Sequence, residues 1–242
     1  MQIDFILQGK GGVGKSLIAS LLAQYYTSRD HAPVCIDTDP VNATFAGYKA
    51  FKAEALSIME GDDINPRAFD QLVERIMAPR DDGATVMVID NGASTFVPLC
   101  SYILQNDLVN LVHEAGHTIR FHTVITGGQA LADTTEGFTS LCENIAGVPI
   151  VVWINEYFGQ PVRNGKTFED SNVLKRYQDR VHALVTIPAV KPETFGRDMQ
   201  MMLNRRDTFA EADASPDYGI MERQRLRMMW RKLEAQMERA RL

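Results

Sequence analysis

The stretch QGKGGVGKS (residues 8–16) packs four glycines and two lysines into nine positions. One apolar run precedes it (Ile3, Phe5, Ile6, Leu7) and another follows (Leu17, Ile18, Leu21, Leu22). The segment fits G-x-x-x-x-G-K-[ST], with Gly9, Gly14, Lys15 and Ser16 at the fixed places. A strand before the loop and a helix after it are the context this pattern needs. Glycines let backbone N–H groups turn inward and approach phosphate oxygens closely, and the helix adds its positive N-terminal end. The cradle is expected to run through Gly9, Gly11, Gly12, Val13, Gly14, Lys15, Ser16 and Leu17. In it Lys15 reaches the β- and γ-phosphates and the Ser16 hydroxyl ligates Mg²⁺. Lys10 is not needed for any of this.

Outward from the loop, short β-branched runs alternate with longer helical patterns. Strands are predicted at 3–8, 33–37, 85–90, 121–126, 149–155 and 182–188. Helices are predicted at 15–28, 66–78, 97–115, 129–145, 169–179 and from 193 onward. The strand runs are apolar at nearly every position, as strands covered on both faces are. The expected fold is α/β: a doubly wound, mostly parallel sheet flanked by helices, residues 1–221 forming the main unit. Ligands in such sheets bind at the carboxyl ends of strands. Those ends carry Asp37 and Asp39, Asp90, Asn155 and Pro188.

The composition, 45% hydrophobic and 23% charged, is that of an ordinary globular domain. No apolar run approaches the roughly 18 residues of a membrane span, and MQIDFILQGK lacks the features of a secretory signal. Cys35, Cys100 and Cys142 are widely spaced and odd in number, which fits buried thiols in a reducing cytoplasm. The net charge of −6 argues against a general nucleic-acid binder.

GKGGVGKS resembles the deviant phosphate loop of the MinD/ParA family of dimerising ATPases, where an extra lysine follows the first glycine. The resemblance implies that Lys10 crosses a two-fold interface to the partner's nucleotide, so that ATP and Mg²⁺ gate a homodimer. CIDTDPVN looks like the family's D-x-D-P segment. By that likeness Asp37 helps hold the Mg²⁺ shell and Asp39 orients the attacking water. VMVIDNGAS places Asp90 as the carboxylate that meets Mg²⁺ through water, but departs from D-x-P-x-G afterwards, which leaves Asn91 and Ser94 without assigned roles. Asn155 matches the asparagine that reads the adenine edge, and Pro188 the loop that packs on the base. Five stretches (35–50, 88–99, 123–138, 151–159 and 187–203) also resemble one branch, the TraL-type proteins of plasmid conjugative transfer. This implies a cytoplasmic ATPase, slow alone and stimulated by a partner in a conjugation or secretion apparatus.

Other motifs compete. His113-Glu114-Ala115-Gly116-His117 has the spacing of a zinc protease, with Glu136 as a third ligand. Gly116 and the β-rich run after it instead predict that the helix ends there, its histidines capping it. An iron–sulfur reductase needs closely placed cysteines, which are absent. A small-molecule kinase or ATP-dependent ligase would keep the loop but leave Lys10 unexplained. Residues 222–242 carry seven cations against three glutamates, with an apolar stripe from Leu226 to Ala240. A helix packed on its own domain, a partner-binding helix, a helix on the inner-membrane surface and a nonspecific DNA contact all fit.

Overall fold

The structure, a computed structural model, describes residues 1–39, 41–61, 63–78 and 86–242. Strand β1 (Gln2–Ile6) leads through the glycine loop to α1 (Lys15–Ser28), then to β2 (Val34–Asp37) and β3 (Glu54–Ala55). A hairpin of β4 (Met59–Glu60) and β5 (Asp63–Ile64) precedes α2 (Phe69–Met77) and β6 (Val86–Asp90). Next come α3 (Phe96–Gln105), α4 (Leu108–Glu114), β7 (Thr118–Thr126), α5 (Leu131–Asn144) and β8 (Ile150–Asn155). A second hairpin, β9 (Val162–Arg163) and β10 (Lys166–Thr167), leads to α6 (Asn172–Arg176) and β11 (Val181–Ile187). Helices α7 (Arg197–Arg205), α8 (Phe209–Ala214) and α9 (Ile220–Arg239) close the chain.

Seven strands form one sheet in the order β11-β8-β7-β1-β6-β2-β3, and every pairing in it is parallel. Side chains alternate across the sheet, so an unbroken apolar strand feeds two cores. Met87 and Ile89 join Phe5, Phe69, Leu99 and Phe138 on one face. Val86 and Val88 join Ile18, Leu22, Trp153 and Leu233 on the other. The register puts Ile6 level with Asp90 on one side and His122 on the other. The loop after β1 therefore starts at the centre of the sheet, beside the ends of both neighbours.

Helix α9 buries Leu226, Met229, Leu233 and Met237 in the second core. Gln236 takes the Thr186 N–H and donates to the Thr186 carbonyl, each at 2.8 Å. That amide pairs the open edge of β11 as a neighbouring strand would. Arg225 and Arg227 are matched to Asp198 and Asp213, so part of the tail's positive charge is used within the chain. Among the described residues, no helix is long and apolar enough to cross a membrane.

The structure departs from the sequence expectations at several element ends. The predicted helix 97–115 is two helices, broken where Asp107 takes φ +48°, a conformation aspartate tolerates better than most residues. β7 starts at Thr118 instead of 121, because Thr118 to Arg120 pair with Gln2 to Asp4. The connection 157–168 carries the β9–β10 hairpin, with Asn164 and Gly165 at positive φ in its turn. Thr85, the first residue of a predicted strand, and Pro40 of the D-x-D-P segment lie outside the described residues.

Beneath α1, a charged cluster is buried in the sheet. Arg120 Nε donates to Asp4 Oδ1 at 2.9 Å and Arg120 Nη2 to the Tyr26 hydroxyl at 2.8 Å; Tyr26 in turn donates to Asp4. His122 Nδ1 accepts from Trp153 Nε1 at 3.0 Å, so neutral His122 carries its proton on Nε2, 3.2 Å from Asp4 Oδ1. Burial works to raise the Asp4 pKa, but His122 and Arg120 outweigh it and hold it below the usual carboxylate range. Burial lowers the His122 pKa. Both groups are thus depressed in the folded state. Their stabilisation is complete above the unfolded values of 3.8 and 6.5 and is lost as pH falls. Arg120→Met leaves Asp4 buried without its cation. It is expected to cost about 3–5 kcal/mol in urea unfolding at pH 7 and to bring acid destabilisation on at a higher pH than in the wild type.

Candidate functional site

The loop owes its shape to two left-handed glycines, Gly12 (φ +73°) and Gly14 (φ +107°). Gly14 is the N-cap of α1. No side chain caps that end and its first turn holds no acid, so free N–H donors and the positive end of the helix face the loop. Lys15 is buried, and its Nζ donates to the Lys10 carbonyl at 3.1 Å. Burial lowers the Lys15 pKa, against the charges of Asp90 and Asp39.

The strand ends supply the carboxylates. Asp90 closes β6 and is only 1% exposed, and neither of its oxygens has a hydrogen-bond partner. Burial pushes its carboxyl up to about 7, against the Ser16 hydroxyl and Lys15, which favour the charged form. Asp37 ends β2 with both oxygens engaged: Oδ1 takes the Asp39 N–H and Oδ2 the Ala46 N–H, each at 2.9 Å. Asp39 Oδ1 holds the turn beyond it through the Val41 and Asn42 N–H groups, at 2.9 and 3.1 Å. Asn91 has a definite place. It donates to the Ile6 and Ile89 carbonyls and accepts from Thr38, tying the ends of β1, β6 and β2 together. Lys10 lies within its own chain, Nζ 2.7 Å from Asp133 Oδ2 of α5, both side chains about half exposed.

Two cavities open on the loop and share Gly12, Gly14 and Leu17. One, about 500 Å³, is polar, with Lys15, Ser16, Asp39, Asn42 and Ser94. The other, about 530 Å³, is apolar, with Ile187, Pro188, Met199 and Met229, and takes in Asn155. A charged half and a flat apolar half joined at a phosphate loop have the shape and chemistry of a nucleotide.

Close backbone approaches hold this geometry, and sequence reasoning missed them. A Cβ at Gly137 would lie 2.1 Å from Gln8 Oε1. The bare helix backbone lets Gln8, the residue before the loop, donate to Thr123 Oγ1, Val124 O and Thr134 O. A Cβ at Gly127 would lie 2.3 Å from the Gly159 carbonyl oxygen, so the turn after β8 packs on bare backbone after β7. Asn155 Nδ2 donates to the Val13 carbonyl at 2.9 Å and its Oδ1 accepts from Tyr157 N–H at 3.1 Å. The signal was present in TGG and EGF, whose glycines sit beside the loop for reasons of contact.

Residues 4–217 match the family described as the CobQ/CobB/MinD/ParA nucleotide binding domain. The chain belongs to this family. It is 50% identical over 240 residues to a protein TraL of Escherichia coli, covering 99% of this chain and 98% of that one. A second E. coli protein TraL is 49% identical over the same length. Among solved structures, a MinC:MinD cell division protein complex of Aquifex aeolicus aligns over 97% of this chain and 96% of that one, with TM-score 0.57 and 13% identity. MinD of A. aeolicus aligns over 97% of both chains with TM-score 0.53 and 13% identity. These two likenesses concern the fold.

In this CobQ/CobB/MinD/ParA domain the competing motifs have other occupations. His113 lies in α4, whereas His117 follows Gly116 beyond the helix end, with Nδ1 3.2 Å from the Met1 amino group. The two do not share a helical face. Among the described residues, no group of three or more His, Cys, Asp or Glu side chains is placed to hold a metal unaided. Burial pushes the thiols of Cys35 and Cys100 up to about 12 and that of Cys142 to about 11, which makes them poor ligands and nucleophiles. The close packing around the loop predicts that Gly127→Ala forces the backbone at 159–160 to shift. The expected loss is about 1–3 kcal/mol in chemical denaturation, with weakened nucleotide binding, while the exposed Gly61→Ala leaves nucleotide binding unchanged.

Proposed function

We propose that this chain is a Mg²⁺-dependent ATPase acting as a nucleotide switch, one that pairs with a second copy around ATP and serves plasmid conjugative transfer, type IV secretion or plasmid maintenance. The observation that carries it is the meeting of buried Lys15 and partnerless, buried Asp90 at the uncapped end of α1. Such a lysine wants an anion and such a carboxylate wants a cation. ATP with Mg²⁺ supplies both. The plasmid role rests on similarity to the TraL proteins over nearly the whole chain.

The unpartnered Asp90 oxygens and the Ser16 hydroxyl fit a hard cation. With no cluster of three acidic or imidazole side chains to enclose it, the ion would keep waters and phosphate oxygens as its other ligands, as Mg²⁺ does. When bound, it neutralises charge on the phosphates. Lys15 exchanges the Lys10 carbonyl for phosphate oxygens. Asp37 holds the segment that positions Asp39, and Asp39 orients water for attack. No strong base is present to speed that step, so hydrolysis by the isolated protein is slow.

Lys10 works across the two-fold. Its ion pair with Asp133 is half exposed, and pairs of that kind contribute under about 1 kcal/mol. A triphosphate on a facing copy can therefore draw Lys10 away at little cost. Val41 and Tyr157, 78% and 67% exposed, sit at the mouths of the two cavities, where a second copy would cover them.

Two variants separate binding from pairing. Lys15→Ala is expected to weaken ATP binding by about 100-fold or more in calorimetry, the loss of a buried charge on phosphate. Lys10→Ala is expected to bind ATP normally yet remain monomeric with ATP and Mg²⁺ in size-exclusion light scattering. ATP-dependent pairing by Lys10→Ala at wild-type level removes the role given to Lys10.

A further inference from the structure

We propose that Gln200 and Asn204 of α7 read the edge of the nucleotide's base and select adenine; this rests on the nucleotide reading above. The apolar cavity provides walls for a flat ring, with Pro188, Met199 and Met229 among them. Walls alone do not choose a base; a few placed polar groups do. Three side-chain amides line this cavity, those of Asn155, Gln200 and Asn204, and no charged side chain does.

Asn155 has another task. It is 3% exposed, and its amide already ties Val13 of the loop to the turn at Tyr157. Turning that amide to a base would release the loop on which the phosphates depend. Gln200 and Asn204 stand one helical turn apart, so they rise from one face of α7. Both are exposed, and neither has a hydrogen-bond partner among the described residues. A five-residue π turn, Pro192–Gly196, brings the chain from the Pro188 loop into α7 along this cavity. Such turns recur at functional sites.

A carboxamide offers an N–H and a C=O side by side, which matches the acceptor nitrogen and exocyclic amine of adenine. Guanine presents two adjacent donors on its pairing edge, which a carboxylate suits best. No Asp or Glu lines this cavity.

The test is calorimetry on the full chain with Mg²⁺, comparing ATP, GTP and inorganic tripolyphosphate on wild type and on the double variant Gln200→Ala, Asn204→Ala. The wild type is expected to prefer ATP over GTP by about tenfold or more. The double variant is expected to lose roughly 10- to 100-fold in ATP affinity, about tenfold for each hydrogen bond at most, while tripolyphosphate affinity and melting temperature stay unchanged. ATP affinity within twofold of wild type overturns the proposal and leaves the ATPase reading standing. So does an equal fall for tripolyphosphate, which marks a general disturbance of the loop. Failure of the wild type to bind any of the three ligands overturns both.

Discussion

A carboxylate buried at the end of a central strand with no donor for either oxygen costs several kcal/mol unless something pairs with it. Asp90 is in that position, with its carboxyl pushed up to about 7. Its neighbours are Lys15, itself buried, and the Ser16 hydroxyl at the start of α1. An apolar residue at 90 would remove the burden and the site together. The sheet tolerates this cluster because stability comes from elsewhere: two apolar cores, one on each face.

What keeps the cluster in register is contact between backbones. Gly127 admits the carbonyls of 159 and 160, Gly137 admits Gln8, and Asn155 bridges from β8 to Val13. Asn91 fastens the three strand ends beneath. These contacts join β1, β7, β8 and α5 into the frame on which the phosphate loop rests. The two cavities follow from the same frame, since both open on Gly12 and Gly14. Positions that hold substrate are thus prepared by residues that would never touch it, which is how preorganised sites keep their geometry.

Much of this was legible in the sequence for physical reasons. Strands covered on both faces must be apolar throughout, so β1, β6, β7 and β8 announced themselves. The loop did so too, since only glycine suits the conformations at 12 and 14. The carboxylates were found by asking what ends each strand. Less visible were contacts between distant segments. Nothing local links Gly137 to Gln8, or Lys10 to Asp133, and the pairing of Thr118 with Gln2 fixed a strand start that periodicity placed later. Breaks set by one backbone angle, as at Asp107, were equally hidden inside an amphipathic run. Asn155 lay where expected, but its partners in the fold give its amide a supporting task.

The central claim is that occupancy by ATP, and not by ADP, brings two copies together. Solution mass by light scattering tests it directly, on wild type and Asp39→Ala, without nucleotide, with ADP, and with ATP plus Mg²⁺. The account predicts monomers in the first two states and a dimer of twice the 27.1 kDa chain in the third, more complete in Asp39→Ala, where bound ATP is not consumed. A mass that stays the same in all three states, at protein concentrations where ATP is shown to be bound, would contradict it.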